Sequence, residues 1–398
     1  MTPPAASADA AIVLPTELRP SDGRFGSGPS KVRPEAVARL SDAARGYLGT
    51  SHRREGVRSV VRRAREGLRE LFSLPDGYEV VLGNGGTTSF WDSASFCLIE
   101  RHSQHLSFGE FSSKFATVVT AAPHLEAPEV IESAVGTHPE PHANPDVDAY
   151  ALTHNETSTG VMAEVRRPHG TTAADGLVLV DATSGAAALP VDPAQFDVYY
   201  FAPQKALAAE GGLWFALCSP AAIERIGRIA AGGRWVPASL DLRLALENSR
   251  LDQTYNTPAL SSLFLATDTI EWIAGNGGLE WAADRCDRSA EALYGWVEAS
   301  EFATPFVAKP SERSHSVATI DFEGVDAAAI ASTLRANGIV DTEPYRKLGR
   351  NQLRIAMFPA IDPSDIAILT QAIDFVVERL RDDGDDDRST HDAGGATT

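Results

Sequence analysis

The sequence predicts an α/β protein, with a mainly parallel sheet in a large domain followed by a smaller C-terminal α+β domain. Three observations predict it. Short apolar runs rich in Val, Tyr and Phe alternate with segments of helical period along most of the chain. Near Leu279 the texture changes to a strand–helix–strand–helix series. At 398 residues, 43% hydrophobic and 22% charged, the composition is that of a globular protein with ample material for a core.

Residues 1–19, rich in Pro, Ala and Ser, are expected to form a flexible leader. Pro34 to Leu48 sets Val37, Leu40, Ala44 and Leu48 on one helical stripe opened by a proline. Arg58 to Phe72 repeats the pattern with Val61, Ala64, Leu68, Leu71 and Phe72. Glu79–Leu82, Leu177–Val180, Val198–Phe201 and Leu213–Leu217 are bounded by Gly, Pro or Asp and read as buried strands. A helix is expected over Ala259–Ile273, with Pro258 at its start. The C-terminal series is helix Trp281–Glu298, strand His315–Phe322, helix Asp326–Asn337, strand Gln352–Phe358 and helix Pro363–Arg381. The large domain is placed at 20–285 and the small one at 286–380. Residues 381–398 hold six Asp and two Arg and nothing apolar larger than Ala, and read as an acidic disordered tail.

Acidic residues outnumber basic ones 54 to 35, a formal net charge of −19. That field repels nucleic acid and anionic membrane surfaces, so neither is an expected partner. Cys97, Cys218 and Cys286 are widely spaced and contain no CxxC, which argues against a disulfide framework and a zinc site and suits a reducing compartment. With no signal-peptide pattern and no long apolar span, the expectation is a cytoplasmic protein without a metal.

No GxxxxGK[ST] or HExxH motif is present. Gly83-Asn-Gly-Gly-Thr-Thr88 follows a strand and precedes a candidate helix, Ser89–Ile99, which makes it either an anion cradle or a plain turn. Asp181 ends one strand, and Lys205 lies just past the next, so parallel pairing brings both to one sheet edge. The chain has only five lysines: Lys31, Lys114, Lys205, Lys309 and Lys347. A lysine in apolar surroundings can become a Schiff-base nucleophile, and a facing carboxylate is what the pyridine nitrogen of pyridoxal phosphate requires. The alternative is a structural ion pair, and spacing alone leaves both open. His52 and Arg53 lie in a polar loop, either an anion site or a solvated basic patch. Asn155-Glu-Thr157 is a strand-end loop or a helix cap, and Thr254–Pro258 is a polar turn. Arg354 lies on a strand, where it grips a carboxylate or protects an edge.

In this order, nine strings resemble the phosphoserine aminotransferase family, fold-type-I pyridoxal-phosphate (PLP)-dependent transferases of the class V aminotransferase group. They are Phe25-Gly-Ser-Gly-Pro29, Ser51-His-Arg53, Gly85-Gly-Thr-Thr88, Gly109-Glu-Phe111, Asn155-Glu-Thr157, Asp181, Gln204-Lys205, Tyr255-Asn-Thr-Pro258 and Gln352-Leu-Arg354. They span roughly residues 20–380, and the wording is similar to the actinobacterial branch.

The resemblance implies the following roles. Lys205 forms the Schiff base and moves the substrate proton. Asp181 pairs with the ring nitrogen, Phe111 stacks on the ring and Thr157 bonds its 3-oxygen side. Gly86, Thr87 and Gln204 hold the phosphate, and Asn256 and Thr257 reach it from the partner subunit of a homodimer. Arg354 clamps the α-carboxylate, while His52 and Arg53 hold the distal anion. Arg346 is carried as a substrate ligand, and which of Tyr345, Arg346, Lys347 and Arg350 contacts the phosphate stays open. Thr87 and Phe111 replace an arginine and a tryptophan found in many members, and a late His-Arg pair appears here as Tyr345-Arg346. The implied reaction is transamination of 3-phosphohydroxypyruvate with L-glutamate, serving serine and pyridoxine biosynthesis. The alternatives are another class V enzyme, such as an alanine/serine–glyoxylate aminotransferase, or a non-catalytic α/β binding protein.

Overall fold

The computed structural model describes residues 12–392. Helices α1 (Pro34–Tyr47) and α2 (Glu55–Leu71) precede β1 (Glu79–Asn84), α3 (Thr87–Cys97), β2 (Ser103–Ser107), α4 (Glu110–Ala121) and β3 (Glu129–Glu132). Then come β4 (Ala149–Thr153), the short pair β5 (Asn155–Glu156) and β6 (Val161–Met162), β7 (Leu177–Asp181), β8 (Val198–Phe201) and β9 (Leu213–Cys218). Helices α5 (Pro220–Ala231), α6 (Leu242–Arg250), α7 (Leu260–Gly275) and α8 (Gly278–Ala299) lead to β10 (Ala303–Pro305), β11 (Val317–Phe322), α9 (Ala327–Ala336), β12 (Gln352–Ala356) and α10 (Pro363–Asp392).

The large sheet has seven strands in the order β1-β9-β8-β7-β4-β2-β3. Its strands β8, β7, β4, β2 and β3 are parallel, as expected, and β9 runs antiparallel to both β8 and β1. Alternation divides β7 between two cores. Val178 and Val180 pack toward α2 and α7, whereas Leu177 and Leu179 pack toward α3 and α6. Helices thus cover both faces, which is why the central strands read as continuous apolar runs. The small sheet, β10-β11-β12, is antiparallel.

Three features depart from the expected division of the chain. Residues 12–25 are held rather than free: Leu14 is buried, its N–H donates to Asn337 Oδ1 at 2.9 Å, and Phe25 exchanges backbone bonds with Val340 and Ala356. The boundary expected at residue 285 falls inside α8. Helix α10 runs through residues 381–392 of the expected tail, because Leu380 packs on the core and Arg381 lies 5.1 Å from the Phe302 ring, so the helix propagates from an anchored turn. Residues 1–11 of the leader and 393–398 of the tail lie outside the described residues.

Candidate active site

Asp181 ends β7 in register with Thr153 of β4 and Tyr200 of β8. The chain leaves β8 at Phe201 and reaches Lys205 through Ala202-Pro-Gln204, so parallel pairing does bring both residues to one edge. A cavity of about 350 Å³ lies there, walled by Gly86, Thr87, Trp91, Phe111, Asn155, Thr157, Asp181, Thr183, Gln204 and Lys205.

Lys205 is buried, and its Nζ donates to the Ser27 carbonyl at 2.7 Å, with Thr157 Oγ1 at 3.5 Å and the Phe111 ring centroid at 5.7 Å. Burial, then the nearby Arg354 charge, lowers its pKa to about 7 against the opposing pull of Asp181 and Glu156. Near neutral pH a large share of the amine is therefore unprotonated. Gly28 has φ +141°, and a Cβ there would stand 2.6 Å from both Lys205 Cε and Nζ, so the lysine's course requires glycine at this position.

Asp181 is held from two sides. Oδ2 accepts the Trp91 indole N–H at 3.0 Å, and Oδ1 accepts the Thr183 N–H at 3.0 Å and its hydroxyl at 2.6 Å. Burial raises its pKa, and those Thr183 and Trp91 bonds resist the rise by favouring the carboxylate. On the same cavity, Gly85 takes φ +111° and feeds the N-terminus of α3, whose cap Gly86 brings no side-chain bond. The first N–H groups of α3 therefore face the cavity as an anion cradle, with Thr87 Oγ1 fixed 2.7 Å from Thr183 Oγ1.

Arg354, opposite Thr319 in the β11–β12 register, reaches this edge from the three-stranded sheet. Its Nη1 donates to the Thr157 carbonyl at 3.3 Å, Tyr345 covers its guanidinium at 5.4 Å, and its buried Nε has no partner among the described residues. A half-buried cation with an unused donor is prepared for an incoming carboxylate. The buried Gln204 amide oxygen is likewise unpartnered. A carboxylate, a buried amine and helix N-terminal N–H groups on one cavity fit pyridoxal phosphate, whose ring nitrogen, aldehyde and phosphate call for those three groups.

A model of the Aminotransferase class-V family matches residues 25–342. The chain belongs to the class-V aminotransferase family. A Nocardioides sp. class-V relative, named phosphoserine aminotransferase, is 57% identical over 371 residues, covering 93% of this chain and 99% of its own. A Mycolicibacterium paratuberculosis relative, provisionally given the same name, is 59% identical over 93% of this chain and 98% of its own. Among solved structures, a Cytophaga hutchinsonii phosphoserine aminotransferase superposes with TM-score 0.81 at 23% identity, over 89% of this chain and 99% of that one. The fold is thus that of a fold-type-I pyridoxal-phosphate aminotransferase.

Eleven of the expected class-V site residues separate into two groups, while Arg354 meets the Thr157 carbonyl without lining the cavity. Gly86, Thr87, Phe111, Thr157, Asp181, Gln204 and Lys205 share the cavity. Four others gather apart, in an exposed cluster where Thr257 Oγ1 and His52 Nδ1 are 3.2 Å apart, Arg53 Nη1 donates to Gln253 Oε1 at 3.4 Å and Asn256 adjoins Thr257. None of these four lines the Lys205 cavity. Of the late basic residues, Arg350 is committed to Asp321 at 2.5 Å and Lys347 to Glu110 at 2.5 Å. Arg346 is exposed, with no hydrogen-bond or ion-pair partner among the described residues.

Sequence reasoning missed Trp91, Thr183, Ser27 and Gly28. Trp91 lies on α3 one turn past the glycine loop, a position any core aromatic could occupy. Ser27 and Gly28 carried a signal, since both belong to the Phe25–Pro29 string.

Proposed function

We propose that this class-V aminotransferase moves the amino group of L-glutamate to 3-phosphohydroxypyruvate, giving 3-phospho-L-serine and 2-oxoglutarate, and so serves serine and possible pyridoxine synthesis in the cytoplasm. The observation that carries it is the Lys205 amine, buried with a pKa near 7 on the wall of a cavity that ends in Asp181. The names of the close relatives support the choice of substrates. Pyridoxal phosphate, when bound, supplies the electron sink that lets the substrate Cα–H bond break.

The chain's own residues do the rest. Lys205 Nζ, held by Ser27 and free to rotate about its methylenes, takes the proton from the substrate Cα and returns it at the other end of the transfer. Asp181 keeps the ring nitrogen protonated. Arg354 pins the α-carboxylate and so orients the Cα–H bond. The Phe111 ring and the buried Thr157 wall the cavity and limit water at the reacting carbon.

The cluster of His52, Arg53, Asn256 and Thr257 completes the proposal. In one chain it stands away from Lys205, which favours its serving the cavity of a second copy in a homodimer. There His52 and Arg53 would meet the distal phosphate of one substrate and the distal carboxylate of the other. Division into a large domain over 20–285 and a small one over 286–380 belongs to the same reading, with the join running through the continuous helix α8 and Arg354 delivered from β12. No helix among the described residues is long and apolar enough to cross a membrane, and no metal-ligand cluster occurs among them.

The deciding experiment is a coupled assay for phosphoserine formation that compares 3-phosphohydroxypyruvate with glyoxylate and oxaloacetate as acceptors. Preference for glyoxylate would move the chain to the glyoxylate branch of the class.

A further inference from the structure

Glu156 is fully buried yet does not line the Lys205 cavity, although its neighbours Asn155 and Thr157 do. Its side chain turns the other way, to the N-terminus of α4. Oε2 accepts the Phe111 N–H at 3.1 Å and the Ser112 N–H at 2.9 Å. Oε1 accepts the Ser158 N–H at 3.1 Å and the Ser158 hydroxyl at 2.7 Å. Ser158 Oγ in turn accepts the Glu110 N–H at 3.0 Å. The three first-turn donors of α4 are thus satisfied by residues more than forty positions later in the chain.

A helix start is ordinarily capped by its own N-cap side chain. Here that position is Gly109, which brings none, and a Cβ on it would lie 2.3 Å from Glu156 Cγ and 2.7 Å from Ser158 Oγ. Gly109 leaves the room that the incoming carboxylate fills. A full negative charge at a helix N-terminus is also favoured by the helix dipole.

We infer that Glu156 is a positioning residue for the reaction: by capping α4 from outside it fixes Phe111 and sets where that ring stands over the Lys205 cavity. The inference rests on the reading that the cavity takes pyridoxal phosphate with Phe111 against its ring. The segment that carries the cap also puts Asn155, on β5, and Thr157, just after it, on the cavity wall. The ring-facing side chain of α4 and the polar groups of β5 therefore move as one piece. Any shift of β5 would displace Phe111 with it.

The test is a double-mutant cycle on pyridoxal phosphate affinity, with Glu156→Gln, Phe111→Ala and the pair, measured by titrating cofactor-free protein and following tryptophan fluorescence and the visible band. Glutamine keeps the volume but turns an NH₂ toward backbone donors. E156Q alone is expected to weaken binding roughly tenfold or more, since hydrogen bonds to a charged acceptor are lost. In the Phe111→Ala background the same change is expected to cost less than about twofold, because the ring it places is gone. Equal losses in both backgrounds would mean Glu156 only supports the fold, and would overturn the inference. Should E156Q fail to fold, Ser158→Ala enters the same cycle with the same criterion. Wild-type protein that binds no pyridoxal phosphate would overturn the reading of the cavity as well, so the two failures are distinguishable.

Discussion

The Trp91 indole N–H donates to Asp181 Oδ2 at 3.0 Å from inside α3, so a buried aromatic side chain of that helix holds the carboxylate. Thr183 supplies two more donors on Oδ1. All three bonds favour the charged form of an acid that burial pushes the other way. Trp91→Phe is expected to weaken pyridoxal phosphate binding by about 1–2 kcal/mol, roughly fivefold to thirtyfold, with the fold intact. Equilibrium dialysis of the variant against the cofactor measures it.

Lys205 gives a pH signature. Its folded pKa of about 7 makes the unprotonated amine available from neutral pH upward. Capture of pyridoxal phosphate by cofactor-free protein is expected to accelerate as pH rises through 7 and then level off. Above that point the folded chain binds fewer protons than the unfolded one, so Lys205 makes stability rise with pH until about 10.4, the free lysine value. Lys205→Met should remove both the capture and that slope, and stopped-flow absorbance with denaturant melts at several pH values would show it.

Gly28→Ala sets a Cβ against the methylene and amine of Lys205 at a left-handed backbone position. A displacement of about 1 Å at a reacting amine costs on the order of a hundredfold in rate. The variant is expected to melt within a few degrees of wild type yet lose about that factor in kcat.

Removing the Arg354 guanidinium should raise KM for both the amino donor and the oxo acceptor, because both present the same α-carboxylate. Truncating one member of a buried charged pair costs about 2–5 kcal/mol. Arg354→Lys is expected to recover little, since a point charge cannot reproduce the fork that leaves Nε available. Steady-state kinetics with each substrate varied in turn checks this.

His52→Ala with Arg53→Ala separates the two substrate readings. If those side chains grip a distal anion, kcat/KM for 3-phosphohydroxypyruvate should fall by at least tenfold while glyoxylate, which has no distal group, is unaffected. Equal losses on both acceptors would remove the phosphate role.

The residues that were legible from sequence were those whose chemistry depends on strand order. Asp181 and Lys205 could be paired because each ends an unambiguous apolar run and parallel strands share an edge. β2, Ser103-Gln-His-Leu-Ser107, was not legible: it has one large apolar residue, yet every position is buried. Two of its polar side chains pair sideways, Gln104 with Glu129 at 2.9 Å and His105 Nε2 with Ser103 at 2.9 Å, and such polar pairing leaves no hydrophobic pattern. Trp91 and Glu156 were hidden for a related reason. Each acts on a group distant in sequence, and a single residue type does not announce such a partner.

The path of residues 23–29 has a consequence for how the protein is made. Gly23 and Phe25 exchange backbone bonds with Val340 and Ala356, and only two residues beyond Phe25 the Ser27 carbonyl receives the Lys205 amine. An emerging chain would synthesise that segment early and wait for more than three hundred further residues before its pairing partners existed. The lysine's anchor would therefore be among the last contacts to close, and a ribosome stalled short of β12 would hold a sheet with its nucleophile unrestrained.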